Sequence, residues 1–353
     1  MSQFYKLSIK DIQRETDKCV IINFAVPNRL KDKFRFKAGQ YLTLRTLING
    51  EEVRRDYSIC SATKNDGLKV AIKEVENGIF SKFANRLLKP NDILDVAPPN
   101  GRFIFEPNAE KSRTVVAFAA GSGITPIMSI ARTILTQEPK STFVLIYGNK
   151  TPKDTIFFQD ILDLHHGYLD NFNLQLVFSQ SDEKNALFGR IEKSTVNFIV
   201  KNKYKHIDID SFYICGPEQM INTVQDVLLE NGVKKEVVHY ELFTTSKSGN
   251  DSIDDDSTLN DDTSVTVFVD DEETTFKMNP KKSVLEAALA EKIDAPYSCQ
   301  GGICSSCVAR LKEGEVKMRQ NNILTESEVA DGLILTCQAH PLTSRIVVDY
   351  DDI

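Results

Sequence analysis

Four cysteines near the C-terminal end constrain this chain more than any other feature. Cys299, Cys304 and Cys307 lie in Cys-Gln-Gly-Gly-Ile-Cys-Ser-Ser-Cys, and Cys337 follows after 29 intervening residues in Leu-Thr-Cys-Gln. Three thiols must leave one tight loop and meet a fourth carried back by a separate segment, so the fold has to close around that loop. The C-x4-C-x2-C…C spacing is that of a plant-type [2Fe–2S] site, in which each iron takes two thiolates. Gly301 and Gly302 permit the sharp reversals, and Ser305 and Ser306 are small enough to let backbone N–H groups approach the sulfurs. The competing assignment is a four-cysteine zinc site in a non-enzymatic interaction protein. Such sites usually pair two short C-x2-C hooks.

At 353 residues the chain is too long for one typical core, and two or three domains are expected. Its 41% hydrophobic and 26% charged content is that of a soluble globular protein. A net charge of −7 without a basic cluster argues against a nucleic-acid partner. No apolar run reaches the length of a membrane span, and the N-terminus lacks a signal pattern, so a cytoplasmic location is expected. Cys19, Cys60 and Cys215 are scattered, which fits a reducing compartment.

Residues 1–107 read as short strands with turn punctuation: Cys19–Val26, Tyr41–Leu44 and Leu68–Lys73, with one helical pattern near Ser81–Leu88. That is the pattern of a small antiparallel β-barrel. Within it, Arg55-Asp-Tyr57-Ser58 puts a cation and an aromatic ring on the same face of an extended strand. A cofactor with a large ring and a phosphate tail needs both. The turn Glu76-Asn-Gly78-Ile-Phe80-Ser81 opens a helix, where backbone N–H groups, a hydroxyl and the helix dipole make an anion site. Together these favour a flavin.

From 108 to 243 strands alternate with helices: Thr114–Ala120, Phe143–Tyr147, Leu174–Phe178, Phe212–Cys215 and Val237–Phe243. The continuous apolar runs suit strands buried on both faces of a doubly wound, parallel α/β sheet. The first strand runs into Gly121-Ser-Gly123-Ile-Thr125-Pro126, a phosphate cradle opening a helix with Ile127, Ile130, Ala131, Ile134 and Leu135 on its buried side. Pro126 stands where the usual fingerprint has a third glycine, and proline is at home in a helix's first turn. After Phe178 come Ser179 and Gln180, neither the acid that suggests ribose hydroxyls nor the arginine that suggests a 2′-phosphate. Lys184 and Arg190 are near enough in sequence to serve as phosphate cations, which favours NADPH over NADH.

The stretch 244–262 is polar and acidic and reads as a self-repelling flexible linker. From 263 to 353 the expected order is a hairpin (Val265–Val269, Thr274–Met278), a helix capped at Ser283, the cysteine loop, a strand, a short helix capped at Thr325 and a last strand, Arg345–Tyr350. This is the order of a β-grasp ferredoxin-like α+β domain.

The Arg-x-Tyr-Ser and Gly-x-x-Ser pair, with Gly121–Pro126 and Cys215-Gly216-Pro217, resembles the ferredoxin–NADP reductase superfamily. The resemblance implies FAD rather than FMN, with Arg55 at its phosphate, Tyr57 on its ring, Ser58 near its reactive nitrogen, and Ile72, Lys73, Gly78, Phe80 and Ser81 around it. It further implies Thr125, Pro126 and Cys215 around the nicotinamide, Glu241 joining Ser58 in proton handling and Phe243 near the flavin ring. Gly39–Leu42, Arg54–Cys60, Ile146–Asn149 and Gln338–Ser344 resemble the reductase subunits of phenylacetyl-CoA epoxidase complexes. The implied activity is electron transfer from NAD(P)H through FAD and the cluster to a protein acceptor, a di-iron oxygenase or similar. A desaturase, ring hydroxylase or hybrid-cluster protein is the alternative acceptor.

Overall fold

The structure, a computed structural model, describes residues 3–243 and 262–353. The linker expected over 244–262 lies outside the described residues except for Asp262. The chain divides into two compact units, one of them Phe4–Phe243 and the other carrying the C-terminal segment.

The first unit begins with an antiparallel sheet of β1 (Tyr5–Thr16), β2 (Cys19–Ala25), β3 (Tyr41–Ile48), β4 (Glu51–Ser58), β5 (Leu68–Lys73) and, after helix α1 (Ile79–Arg86), β6 (Ile93–Val96). Its order is β4-β3-β6-β1-β2-β5, and a bridge between Ile59 and Val70 brings the two ends together. Strand β2 shows why the sequence reads as an unbroken apolar run. Val20, Ile22 and Phe24 face the barrel interior with Leu7 and Ile9, while Cys19 and Ile21 face away, into the core of the nucleotide sheet. Both faces are buried, so the alternation of a half-exposed strand disappears.

The sequence reading begins its strands at Cys19 and leaves out β1, where Lys6, Lys10, Asp11, Arg14 and Glu15 interrupt the apolar pattern. Helix α1 starts at Ile79 rather than near Ser81, because Gly78 takes the N-cap position with extended backbone and no side-chain cap.

The second sheet is entirely parallel. It holds β7 (Thr114–Ala120), β8 (Thr142–Asn149), β9 (Phe172–Phe178), β10 (Ala186–Phe188), β11 (Ser211–Gly216) and β12 (Val238–Leu242) in the order β10-β9-β8-β7-β11-β12. Helices α2 (Ile124–Gln137), α3 (Phe158–Gly167), α4 (Lys193–Asn197) and α5 (Glu218–Glu230) connect them. Strand order reverses between β7 and β11, and in open α/β sheets ligands bind at the carboxyl ends beside such a reversal.

Barrel and sheet are tied by hydrogen bonds that need both. Ser129 of α2 donates to the Ser61 carbonyl (2.7 Å), and the Tyr213 hydroxyl to the Ile104 carbonyl (3.0 Å). Glu138 is fully buried. Burial opposes its ionisation, but Arg113, the Asn108 N–H and Ser141 hold its carboxyl below the usual range.

In the C-terminal unit, β13 (Thr263–Val269), β14 (Glu272–Met278), β15 (Val308–Glu313), β17 (Leu333–Leu335) and β19 (Arg345–Asp349) form a sheet ordered β14-β13-β19-β15-β17, with β13 parallel to β19. Two short strands, β16 (Val316–Met318) and β18 (Ala339–Pro341), pair separately. Helices α6 (Val284–Ala290) and α7 (Glu326–Ala330) start at the capping boxes Ser283–Glu286 and Thr325–Glu328.

Candidate active site and cluster loop

The end of β4 presents Arg55, Tyr57 and Ser58. Arg55 is exposed and donates to the neighbouring Arg54 carbonyl at 2.6 Å. Tyr57 is half-buried and packs on Phe80 with ring centroids 5.5 Å apart. Phe80 itself is 1% exposed, so it backs the tyrosine rather than facing a ligand. Ile72 is also fully buried, whereas its neighbour Lys73 is half-buried. At the following turn the Ser81 hydroxyl accepts the Val75 N–H at 3.2 Å. A Cβ on Gly78 would come within 2.2 Å of that hydroxyl and 2.5 Å of a Val75 methyl. Only glycine fits.

At the strand-order reversal two loops cross. A Cβ on Gly123 would lie 2.1 Å from the Cys215 carbonyl oxygen, and one on Gly216 would lie 2.7 Å from the Met220 methyl. The Thr125 hydroxyl donates to the Ser122 carbonyl at 3.1 Å, bracing the loop from inside. Pro126 is buried in the first turn of α2, and Pro217 precedes α5 as its N-cap. Cys215 has no exposure, and burial, then the Glu241 carboxylate, pushes its thiol far up.

In the sheet register Cys215 sits beside Glu241 on one side and Ala119 on the other. Ser58 reaches this row from the barrel: its hydroxyl donates to Glu241 Oε2 at 3.4 Å, across 183 residues of sequence. Burial raises the Glu241 carboxyl to about 8, the Ser58 hydrogen bond lowers it and Asp56 raises it further. Lys73 also points at this edge, its Nζ 3.8 Å from where a Cβ on Gly121 would stand. Phe243, half-buried, packs against the core beneath.

At the end of β9 the Ser179 N–H and the Gln180 N–H donate to the carbonyls of Asn149 (3.0 Å) and Lys150 (2.9 Å). Lys184 and Arg190 are exposed. The sequence reading misses Phe188 of β10, which is 70% exposed and in register with Phe178 of β9. A phenylalanine in a strand reads as core, and only the structure reveals that this ring is bare. Two cavities, of about 390 Å³ beside Tyr204 and Phe212 and about 450 Å³ beside Asn23 and Gly67, include none of these residues.

In the C-terminal unit, Gln300 and Gly302 take left-handed backbone (φ +54° and +69°), and a Cβ on Gly302 would approach the Gln320 carbonyl to 2.9 Å. The Thr336 hydroxyl and N–H both donate to the Cys307 carbonyl (3.0 and 3.1 Å), which brings the fourth cysteine to the loop. Cys299 comes within hydrogen-bond reach of Cys304 and Cys337, and Cys307 of Cys337. These contacts hold the Cys299 thiol far down and push Cys337 up. The Gly301 N–H donates to Cys299 Sγ at 3.3 Å.

None of the seven cysteines forms a disulfide. The loop carries no charged residue between Asp294 and Arg310, so four thiolates here need positive charge from what they bind. The Ser298 hydroxyl is buried without a hydrogen-bond partner beside Cys299. Four thiols, three from one loop and the fourth from Cys337, are the donor set that a two-iron cluster takes.

Three family models match the chain: an oxidoreductase FAD-binding domain over residues 6–105, an oxidoreductase NAD-binding domain over 118–226 and a 2Fe-2S iron-sulfur cluster binding domain over 267–342. The chain is 37% identical to one component of the 1,2-phenylacetyl-CoA epoxidase of Escherichia coli (strain K12), covering 99% of both. It is 31% identical to the ferredoxin reductase component of 3-ketosteroid-9-alpha-monooxygenase of Rhodococcus rhodochrous, covering 98% of this chain and 96% of that one. The solved structure of phthalate dioxygenase reductase shares the fold, with a TM-score of 0.61, 23% identity and 98% of each chain covered. With a flavin barrel, a nucleotide sheet and a cysteine-loop unit in one polypeptide, the chain is an oxidoreductase that binds FAD, a nicotinamide nucleotide and a [2Fe–2S] cluster, and it belongs to the ferredoxin–NADP reductase superfamily.

Proposed function

We propose that the chain oxidises NADPH in preference to NADH and passes the electrons to an oxygenase component of the phenylacetyl-CoA epoxidase kind, in phenylacetate degradation. The observation that carries the chemistry is the Ser58–Glu241 contact at 3.4 Å beside the crossing of the Gly121–Gly123 and Cys215–Gly216 loops. The acceptor rests on the 37% identity to the epoxidase component. FAD, when bound, takes a hydride from the nucleotide and gives up its two electrons one at a time, which suits a one-electron cluster.

The chain's own residues bind, orient and hold protons. Exposed Arg55 supplies the cation for the flavin phosphate, and Tyr57, backed by Phe80, supplies a stacking face. Gly78 lets the backbone approach the pyrophosphate, and Ser81, whose oxygen already accepts Val75 N–H, keeps its proton for a phosphate oxygen. Glu241 retains a proton at neutral pH because its carboxyl is raised to about 8, with the Ser58 hydroxyl next in reach. Gly121, Gly123, Thr125, Pro126, Gly216 and Pro217 shape the nicotinamide side, over buried Cys215, and half-buried Phe243 lies toward the flavin ring. Phe188 offers a bare ring for the adenine, with Ser179, Gln180 and the exposed cations Lys184 and Arg190 for a 2′-phosphate. Cys299, Cys304, Cys307 and Cys337 hold the cluster.

The working parts are then 1–107, 108–243 and 263–353, with 244–262 as the tether. A reducing cytoplasm suits seven cysteines without a disulfide. A different oxygenase acceptor is the second reading, favoured by the 31% identity to the monooxygenase reductase. Turnover of the purified chain with NADPH and NADH, coupled to an isolated phenylacetyl-CoA epoxidase component, tests the proposal. Coupling at a rate no greater than to an unrelated oxygenase would defeat the acceptor assignment, and a preference for NADH would defeat the nucleotide assignment.

A further inference from the structure

The two glycines of the first nucleotide loop are held in different ways. Gly123 is fixed by crowding against Cys215. Gly121 has left-handed backbone (φ +54°), yet the nearest atom to a Cβ there is the mobile Lys73 Nζ at 3.8 Å. Crowding does not hold it, and glycine moves freely between signs of φ.

What does hold it is a phenol. Tyr147, on β8 beside β7, has no exposure. Its hydroxyl lies 3.0 Å from the Gly121 carbonyl and 3.3 Å from the Ile156 carbonyl. The Gly121 carbonyl also accepts the Ile124 N–H, so the phenol acts on a turn that is already closed. The second carbonyl is anchored as well. It belongs to the peptide joining Ile156 to Phe157, a residue itself in left-handed backbone (φ +61°), and the N–H of that peptide donates to Glu15 of β1 at 2.7 Å. The Phe157 ring lies under Arg132, 5.3 Å away, and Arg132 donates to the Cys60 carbonyl at 2.8 Å. The single phenolic proton is shared between the two carbonyls, with the shorter contact to Gly121, and so sets the loop at the head of α2 against a peptide pinned to the flavin barrel.

We propose that Tyr147 is a positioning residue for the nicotinamide nucleotide: its hydroxyl fixes the Gly121–Ser122 peptide, so that the N–H groups opening α2 keep the direction a pyrophosphate requires. The inference rests on the assignment of Gly121–Pro126 as the nucleotide loop. Tyr147 touches neither nucleotide nor flavin in this role. It acts through a carbonyl, and its loss should appear in binding rather than in the chemical step.

The test is Tyr147→Phe in the full chain loaded with FAD and cluster, beside Gly121→Ala. For Tyr147→Phe, KM for NADPH and the inhibition constant of inorganic pyrophosphate should both rise about fivefold, the effect of one lost hydrogen bond. The limiting rate of flavin reduction and the FAD content should stay unchanged. If both constants stay at the wild-type level, or if only the limiting rate falls, Tyr147 has no positioning role. Gly121→Ala separates the two failures. If it weakens nucleotide binding and Tyr147→Phe does not, only the tyrosine is wrongly assigned; if neither does, the loop assignment falls with it. Should Tyr147→Phe fail to retain FAD, 3-fluorotyrosine at 147 keeps the shape with a stronger donor. The proposal then requires a lower KM, and an unchanged or higher one overturns it.

Discussion

The junction of barrel and nucleotide sheet and the cysteine loop are both candidate redox sites, but they are built on opposite plans. The loop is local: three of its thiols lie within nine residues, Cys299 to Cys307, and it has no charged side chain between Asp294 and Arg310. The junction is assembled from segments as distant as Ser58 and Glu241, and it sets a carboxyl raised to about 8 and the ammonium of Lys73 along one edge. A metal cluster brings its own charge and needs only donors at the right spacing. Hydride chemistry needs protons and cations fixed in space, and only tertiary structure fixes them.

That contrast can be broken most forcefully at the cysteines. Cys304→Ser or Cys337→Ser should all but abolish cluster absorbance and reduction of a protein acceptor, while NADPH-dependent reduction of ferricyanide persists. Loss of both activities together would mean that the two sites are not separable. At the junction, Gly123→Ala pushes a methyl to 2.1 Å from the Cys215 carbonyl. It should cost about 1–3 kcal/mol in unfolding free energy and sharply raise KM for NADPH. A thermal melt and a nucleotide titration measure both, and wild-type values in each would show that the two loops do not cross as described.

The third prediction concerns pH. Glu241 is raised by burial to about 8 from an ordinary 4.5. Between those values the folded chain keeps a proton that the unfolded chain has lost, so stability falls as pH rises through that window. The flavin-reduction rate should also decline as pH passes about 8. Glu241→Gln should remove both slopes; an unaltered pH profile would remove Glu241 from the proton path. The smallest effect is expected at Ser298, whose buried hydroxyl lacks a partner. Ser298→Ala should leave the cluster-free chain as stable or stabilise it by up to about 1 kcal/mol. In the loaded chain it should lower the cluster potential by less than about 59 mV, the one-electron equivalent of tenfold, as read by a redox titration.

The same contrast explains what could be read from the sequence. The cysteine spacing, both capping boxes and the glycine loop are local signals, and strands such as β2, β7 and β8 follow from their apolar patterning, whereas the short strands β6, β10, β16, β17 and β18 are too brief to show a pattern. Arg55 and Tyr57 could be set on one face of β4 from the alternation of an extended strand. Phe188 was not legible, since exposure is a property of the assembled sheet. Nor was the Tyr147 hydroxyl: a tyrosine in an apolar strand reads as packing, and its two acceptors come from separate loops. The proximity of Lys73 to Gly121 belongs to the same class, because it exists only where barrel and sheet meet.

On the proposed function, electrons enter at the junction and leave at the cysteine loop. Anaerobic stopped-flow mixing of the fully loaded chain with NADPH tests it most directly, with flavin and cluster absorbance followed together. Flavin bleaching should precede cluster reduction, and Cys337→Ser should keep the first phase and lose the second. Cluster reduction in chain stripped of FAD, at the rate seen in the loaded protein, would show that electrons reach the cluster without the flavin.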